Sequence, residues 1–189
     1  MGKLSLQDNL FNKGNNEYRV VNTTNIGLGR FLIHLDTIDK NGSLYPYSYV
    51  EQKNSVGVLA FCGDKIVLIR QYRHTMKTYE YEIPGGEIIE GENPLEVAKR
   101  EMLEETGYLV DTIEKLGVYY PSPGSSNEKC YLYKAYCHQY SNPKHEPLEY
   151  MTIELVGEGS FNKMILNNSI KHGMGLVAWL YYIMKRDKK

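Results

Sequence analysis

Cysteine is scarce in this chain, and no charge of either sign is in excess. Cys62, Cys130 and Cys137 include no CxxC pair. That argues against a zinc knuckle or a disulfide framework and fits a reducing, cytoplasmic setting. Lysine and arginine number 22 and the acidic residues 23, for a net charge of −1. No basic field therefore points to nucleic acid or an acidic membrane, and neither is expected as a partner. The basic end "KRDKK" is short and reads as a solvated terminus. "LVAWLYYIM" (176–184), the strongest apolar stretch, is too short to span a bilayer. "MGKLSLQDNL" lacks the apolar run of a signal peptide. The five histidines show no metal-ligand spacing. No internal repeat or low-complexity tract is apparent.

What remains is ordinarily globular: 189 residues, 42% hydrophobic and 24% charged, enough for one cored domain with a small extra lobe. The first third reads as β. "EYRVVNTT" and "RFLIHLDTI" are rich in β-branched and aromatic residues, and Asn41-Gly42 signals a tight hairpin. "LYPYSYVEQ" returns with Pro46, which favours an edge position. "SVGVLAFC" and "KIVLIRQYR" form a second hairpin around Gly63-Asp64, and "TYEYEI" is a short strand closed by Pro84-Gly85-Gly86. A helix is expected at about 94–106. "IEKLGVYY", "KCYLYKAYC" and "EYMTIEL" read as strands, and two helices follow with a break near 167–169. This order predicts an α/β (α+β) fold, a mixed β-sheet sandwiched by helices. Residues 1–50 form an N-terminal β lobe and residues 51–189 the main domain.

The mid-chain helix is well marked. Asn93 is a good N-cap, Pro94 suits the first helical position, Glu96 completes a capping-box pattern and Gly107 is the natural stop. At 100° per residue Leu95, Ala98, Met102 and Leu103 share an apolar arc. Glu101, Glu104 and Glu105 occupy a separate arc. Crowded carboxylates raise one another's pKa and weaken a helix. Either they form a solvated acidic face beside Lys99 and Arg100, or a hard divalent cation reverses the sign of the interaction.

The surrounding spacing resembles the Nudix hydrolase signature, G-x5-E-x7-R-E-U-x-E-E-x-G-U, with U aliphatic. Gly86, Glu92, Arg100, Glu101, Glu104, Glu105 and Gly107 match it, and Met102 and Tyr108 are mild departures at the U positions. The resemblance implies a Nudix fold and Mg²⁺, with Mn²⁺ as an alternative. It makes Glu101, Glu104, Glu105 and the Gly85 carbonyl the metal-binding candidates, and Glu104 a catalytic one. It makes Arg100 a partner that orients the helix carboxylates, and Glu92 a loop support or more distant ligand.

Other stretches resemble the ADP-ribose pyrophosphatase branch of that family: "YYPSPGSSNEK", with Pro123 sixteen residues beyond Gly107, "VLIRQYR" and "YEIPGGEIIEGE". Gly85 stands where that branch more often has alanine. Arg70 and Arg73 either clamp phosphate oxygens or make surface salt bridges. Tyr72 and Tyr79 either pack on a ribose or base or serve ordinary packing. Tyr45, Tyr47 and Tyr49 either build a stacking wall for adenine or line a half-buried strand. Ser125 and Ser126 close the loop.

The resemblance implies cleavage of ADP-ribose to AMP and ribose 5-phosphate by a homodimer whose N-terminal lobe joins the subunits. The alternatives are another nucleoside diphosphate sugar such as GDP-mannose, an oxidised nucleotide, or a non-catalytic ADP-ribose sensor. The branch also implies a general base on a late loop, "HQYSNPKHEPLEYMTIEL" here. Glu149 is preferred, Glu146 is the alternative, and Glu154 ranks last because it lies on a strand.

Overall fold

A computed structural model describes residues 18–144 and 151–187. These fall into two compact units. The first holds β1 (Arg19–Leu28), β2 (Phe31–Lys40) and β3 (Ser43–Glu51), an antiparallel sheet in the order β1-β2-β3. Asn41 and Gly42 both take positive φ, 53° and 82°, as the tight β2–β3 turn requires. Pro46 lies on β3, an edge strand where its missing N–H costs no ladder bond. The unit also takes in Gly124–Asn127. There the Ser125 carbonyl accepts from Val50 N at 2.9 Å, and Asn127 Oδ1 accepts from Gln52 N at 2.8 Å.

The second unit is built on a mixed sheet. Its strands are β4 (Ser55–Cys62), β5 (Lys65–Arg73), β6 (Thr78–Glu82), β7 (Gly85–Glu87), β8 (Tyr108–Tyr119), β9 (Cys130–Gln139) and β10 (Met151–Gly157). The order is β10-β5-β4-β9-β8, with β6 on β5 and β7 on β4. Among the described strands of this sheet, only β4 and β9 run parallel. β4 and β5 pair directly at just two registers beside their turn, Phe61↔Ile66 and Cys62↔Lys65. Beyond that β4 turns to β7 and β5 to β6, so the sheet splits where the chain approaches Gly85.

Helix α1 (Pro94–Thr106) covers one face, with Val97, Ala98 and Met102 buried against Val56, Val58 and Ala60. Helices α2 (Glu158–Leu166) and α3 (Gly173–Arg186) cover the other, where Phe161, Ala178 and Trp179 pack on Leu59, Phe61 and Leu132. Alternate β4 residues thus feed the two cores, as period-two side-chain alternation demands. Each fully buried apolar side chain adds roughly 1.5–3 kcal/mol.

The expected elements are present, with two differences. β8 begins at Tyr108, directly after the helix, because Gly107 adopts φ 73° and turns the chain straight into the sheet. Gly85–Glu87, expected as part of a turn, is a short strand held by β4.

Candidate active site

Helix α1 starts and stops on its own local chemistry. Asn93 Oδ1 accepts from Leu95 N at 2.9 Å, and the Gly107 N–H returns to the Leu103 carbonyl. Glu96 instead meets the Lys99 ammonium at 2.9 Å, one turn along. Arg100 lies among three acidic residues of the box. Its Nη1 is 2.9 Å from both Glu101 Oε1 and Glu104 Oε2, and its Nη2 is 3.8 Å from Glu92 Oε2. Burial alone would lower the guanidinium pKa, but Glu101, Glu104 and Glu92 together raise it above its usual value. Glu92 Oε2 also accepts from Ile89 N at 2.8 Å, closing the loop before the helix.

The same acidic arc of the helix meets β7. Buried Glu105 accepts a hydrogen bond from Gly85 N through Oε2 at 2.9 Å. Glu101 lies on Gly86 so closely that a Cβ there would stand 2.4 Å from its carboxyl carbon and 2.6 Å from each oxygen. A Cβ on Gly85 would stand 2.1 Å from the Val56 carbonyl oxygen. Two carboxylates therefore flank a glycine peptide that takes a side chain at neither position unless the Glu101 carboxylate or the β4 backbone moves. Among the described residues no three carboxylate, imidazole or thiol groups converge at metal-binding spacing. The donor types are nevertheless all hard oxygens, the kind a small divalent cation takes while keeping several waters.

The β5–β6 ladder carries the remaining candidates. Arg73 Nε and Nη2 donate to Glu82 Oε1 and Oε2 at 2.7 and 2.6 Å. With its amide oxygen turned inward, Gln71 accepts from Arg73 Nη2 at 2.6 Å. Arg70 instead stacks over Tyr79 at 4.7 Å and Tyr81 at 5.7 Å. Tyr72 meets Tyr79 edge-on at 5.4 Å. Glu154, on β10, accepts from the Tyr81 hydroxyl at 3.2 Å. Pro123 is exposed in the turn before Gly124. Glu146 and Glu149 lie outside the described residues. In the first unit Tyr49 stacks on His34 at 4.7 Å and 5°, with Tyr47 beside it at 6.5 Å.

Sequence reasoning passed over Glu80, Glu82, Lys171 and His172. Both glutamates are 2% exposed. Lys171 Nζ is 2.8 Å from Glu80 Oε1, and His172 Nδ1 is 3.4 Å from Glu82 Oε2. The signal was present in "TYEYE", whose alternation puts both carboxylates on one face and Tyr79 and Tyr81 on the other.

The NUDIX domain model matches residues 51–164, so the chain belongs to the Nudix family. It is similar to the methanol dehydrogenase activator of Bacillus methanolicus, 34% identical over 122 residues, 63% of this chain and 66% of that protein. It is similar to the ADP-ribose pyrophosphatase of Bacillus subtilis (strain 168), 34% identical over 96 residues, 50% of this chain and 52% of that one. A GDP-mannose pyrophosphatase of Yersinia enterocolitica is 32% identical over 114 residues, 54% of this chain and 59% of that one. The matched regions thus span from about half to about two thirds of these relatives' lengths. A crystal structure of an ADP compounds hydrolase superposes with a TM-score of 0.81 over 91% of this chain and 95% of that one, at 19% identity, which establishes the fold. Among the described residues no helix is long and apolar enough to cross a membrane.

Proposed function

We propose that the chain is a divalent-metal-dependent pyrophosphohydrolase that cleaves the diphosphate of ADP-ribose to AMP and ribose 5-phosphate. The observation that carries this reading is the pair Glu101 and Glu105 flanking the Gly85–Gly86 peptide. Glu101, Glu104, Glu105 and the Gly85 carbonyl would hold Mg²⁺, or Mn²⁺. The bound cation would neutralise the diphosphate and acidify a water. Arg100 orients the helix carboxylates through its contacts with Glu101 and Glu104. Water adds to one phosphorus, the bridging P–O bond breaks, and the leaving phosphate carries off the bridging oxygen. Glu149 takes the proton from that water, with Glu146 as the alternative. If so, Glu149→Gln cuts kcat by ~10²–10⁴ and leaves metal affinity unchanged.

Arg73, Arg70, Tyr72 and Pro123 belong to the substrate side of the reading. The similarity to a Bacillus subtilis ADP-ribose pyrophosphatase supports the ADP-ribose assignment. The similarity to a GDP-mannose pyrophosphatase supports a second reading, hydrolysis of another nucleoside diphosphate sugar. A panel of ADP-ribose, GDP-mannose, NADH and oxidised dGTP, with products identified, separates them. The highest kcat/KM on ADP-ribose with AMP released is expected, and a larger value on GDP-mannose replaces the first reading by the second.

The functional unit is a cytoplasmic homodimer. Ile26, Leu28, Phe31 and Leu35 share one face of the three-stranded sheet and are all exposed in the single chain. Such a face is stable in water when a partner surface covers it. The full chain should sediment as a dimer.

A further inference from the structure

The β6 strand buries two carboxylates on one face, Glu80 and Glu82. Like charges held this close and away from water are costly unless each is compensated. Glu82 is compensated within its own ladder by the two Arg73 hydrogen bonds. Glu80 is compensated from elsewhere. Its contact is the Lys171 ammonium, 2.8 Å from Oε1, an ion pair without hydrogen-bond geometry at either oxygen. Lys171 lies in the turn between α2 and α3. His172 follows it and approaches Glu82 at 3.4 Å.

The same turn reaches the site by a second route. Met174, in the first turn of α3, lies on Gly57: a Cβ there would stand 2.2 Å from its Sδ and 2.5 Å from its Cγ. Gly57 is the ladder partner of Gly85. A Cβ on Gly85 would in turn stand 3.0 Å from the Gly57 Cα. On the first route β6 passes into β7 through Ile83 and Pro84 alone, and Val58 N holds the Pro84 carbonyl at 2.8 Å. Both routes end on the Gly85 peptide. Lys171 is half-exposed and Glu80 buried, so the pair adds little net stability, but without it the Glu80 carboxylate is left buried with no cation.

We infer that the α2–α3 turn positions the Gly85 peptide for metal binding, through Lys171 on Glu80 and Met174 on Gly57. Lys171 and Met174 are positioning residues in this account. The inference rests on the proposed metal site at Gly85, Glu101 and Glu105.

The test uses the full chain with Mn²⁺ as probe, its binding followed by electron paramagnetic resonance without nucleotide. Lys171→Met should weaken Mn²⁺ binding by about tenfold or more, the usual cost of disturbing a residue behind a metal ligand, and Met174→Ala should weaken it in the same direction. Lys171→Arg should restore binding. Lys171→Met leaves Glu80 buried without its cation, so the double variant Glu80→Leu/Lys171→Met is measured as well. Removing both charges keeps the core folded and still loosens the turn, so weakened Mn²⁺ binding is expected there too. Wild-type Mn²⁺ affinity in Met174→Ala and the double variant, with only the melting temperature lowered, overturns the inference. Glu105→Gln is the control for the underlying reading. If it retains wild-type Mn²⁺ binding, the metal site is not at Gly85, and both the reading and the inference fail. If it loses binding while the turn variants keep it, the inference alone fails.

Discussion

Arg70 and Arg73 stand on opposite faces of the β5–β6 ladder. Arg73 grips Glu82 through two hydrogen bonds of 2.7 and 2.6 Å, while Arg70 stacks 4.7 Å over Tyr79. Three residues apart on a strand, they point in opposite directions. They share no partner among these contacts, so their substitutions should act independently. The effects of Arg70→Ala and Arg73→Ala on kcat/KM for ADP-ribose should add within ~0.5 kcal/mol in a double-mutant cycle. Strong coupling would show instead that both grip one phosphate group. Arg73→Lys should also lower the melting temperature, because an ammonium cannot reproduce the two-pronged grip on buried Glu82.

Glu101→Gln and Glu105→Gln should each lower kcat by at least ~10²-fold with near-native circular dichroism. Glutamine keeps an oxygen for the Gly85 N–H but removes the charge. Excess EDTA should abolish the wild-type rate, and full activity in EDTA would refute the metal reading.

The two adjacent glycines should fail differently. In Gly86→Ala the new methyl meets the Glu101 carboxylate, the end of a flexible side chain. That carboxylate can swing aside, so activity should fall with little change in melting temperature. In Gly85→Ala the methyl meets the Val56 carbonyl, fixed backbone in the sheet. There the strand itself must move, and stability should drop by about 1–3 kcal/mol in denaturant titration along with activity.

Acid should destabilise the fold in two stages. Burial holds the His172 imidazole below its usual 6.5, against the pull of Glu82 and with the repulsion of Arg73. Glu128 and Glu80 also pull its pKa upward. Burial pushes the Glu82 carboxyl up, but Arg73, His172 and Gln71 outweigh it and leave the carboxyl below its usual 4.5. Both groups bind fewer protons folded than unfolded in these windows, so stability falls as pH falls. The first loss begins below about pH 6.5 and the second below about pH 4.5. His172→Gln should flatten the melting-temperature profile in the upper window and, by removing one of the groups that hold the Glu82 carboxyl down, weaken the lower one as well. An unchanged upper slope in that variant would assign it to another group.

Much of the site was legible in one dimension. A helix repeats every 3.6 residues, so the spacing of Glu101, Glu104 and Glu105 already places them on one side. Asn93 and Gly107 bound that helix by chemistry confined to a few neighbouring residues. Strand positions followed from alternation and from Gly63 and Asn41-Gly42, all local signals. Glu80 and Glu82 were legible as a pair on one face, but nothing near them in the chain said they were buried. Lys171 and His172, which meet them, lie some ninety residues downstream. The need for glycine at Gly85 likewise depends on the Val56 carbonyl, reached only when β7 folds onto β4. Gly124–Asn127 joined the N-terminal unit through Val50 and Gln52, far away in the chain. Local periodicity is fixed by backbone geometry that every short segment carries with it. A buried ion pair or a backbone collision exists only after distant segments meet, so the tertiary structure alone decided which carboxylates are compensated and which glycines have no substitute.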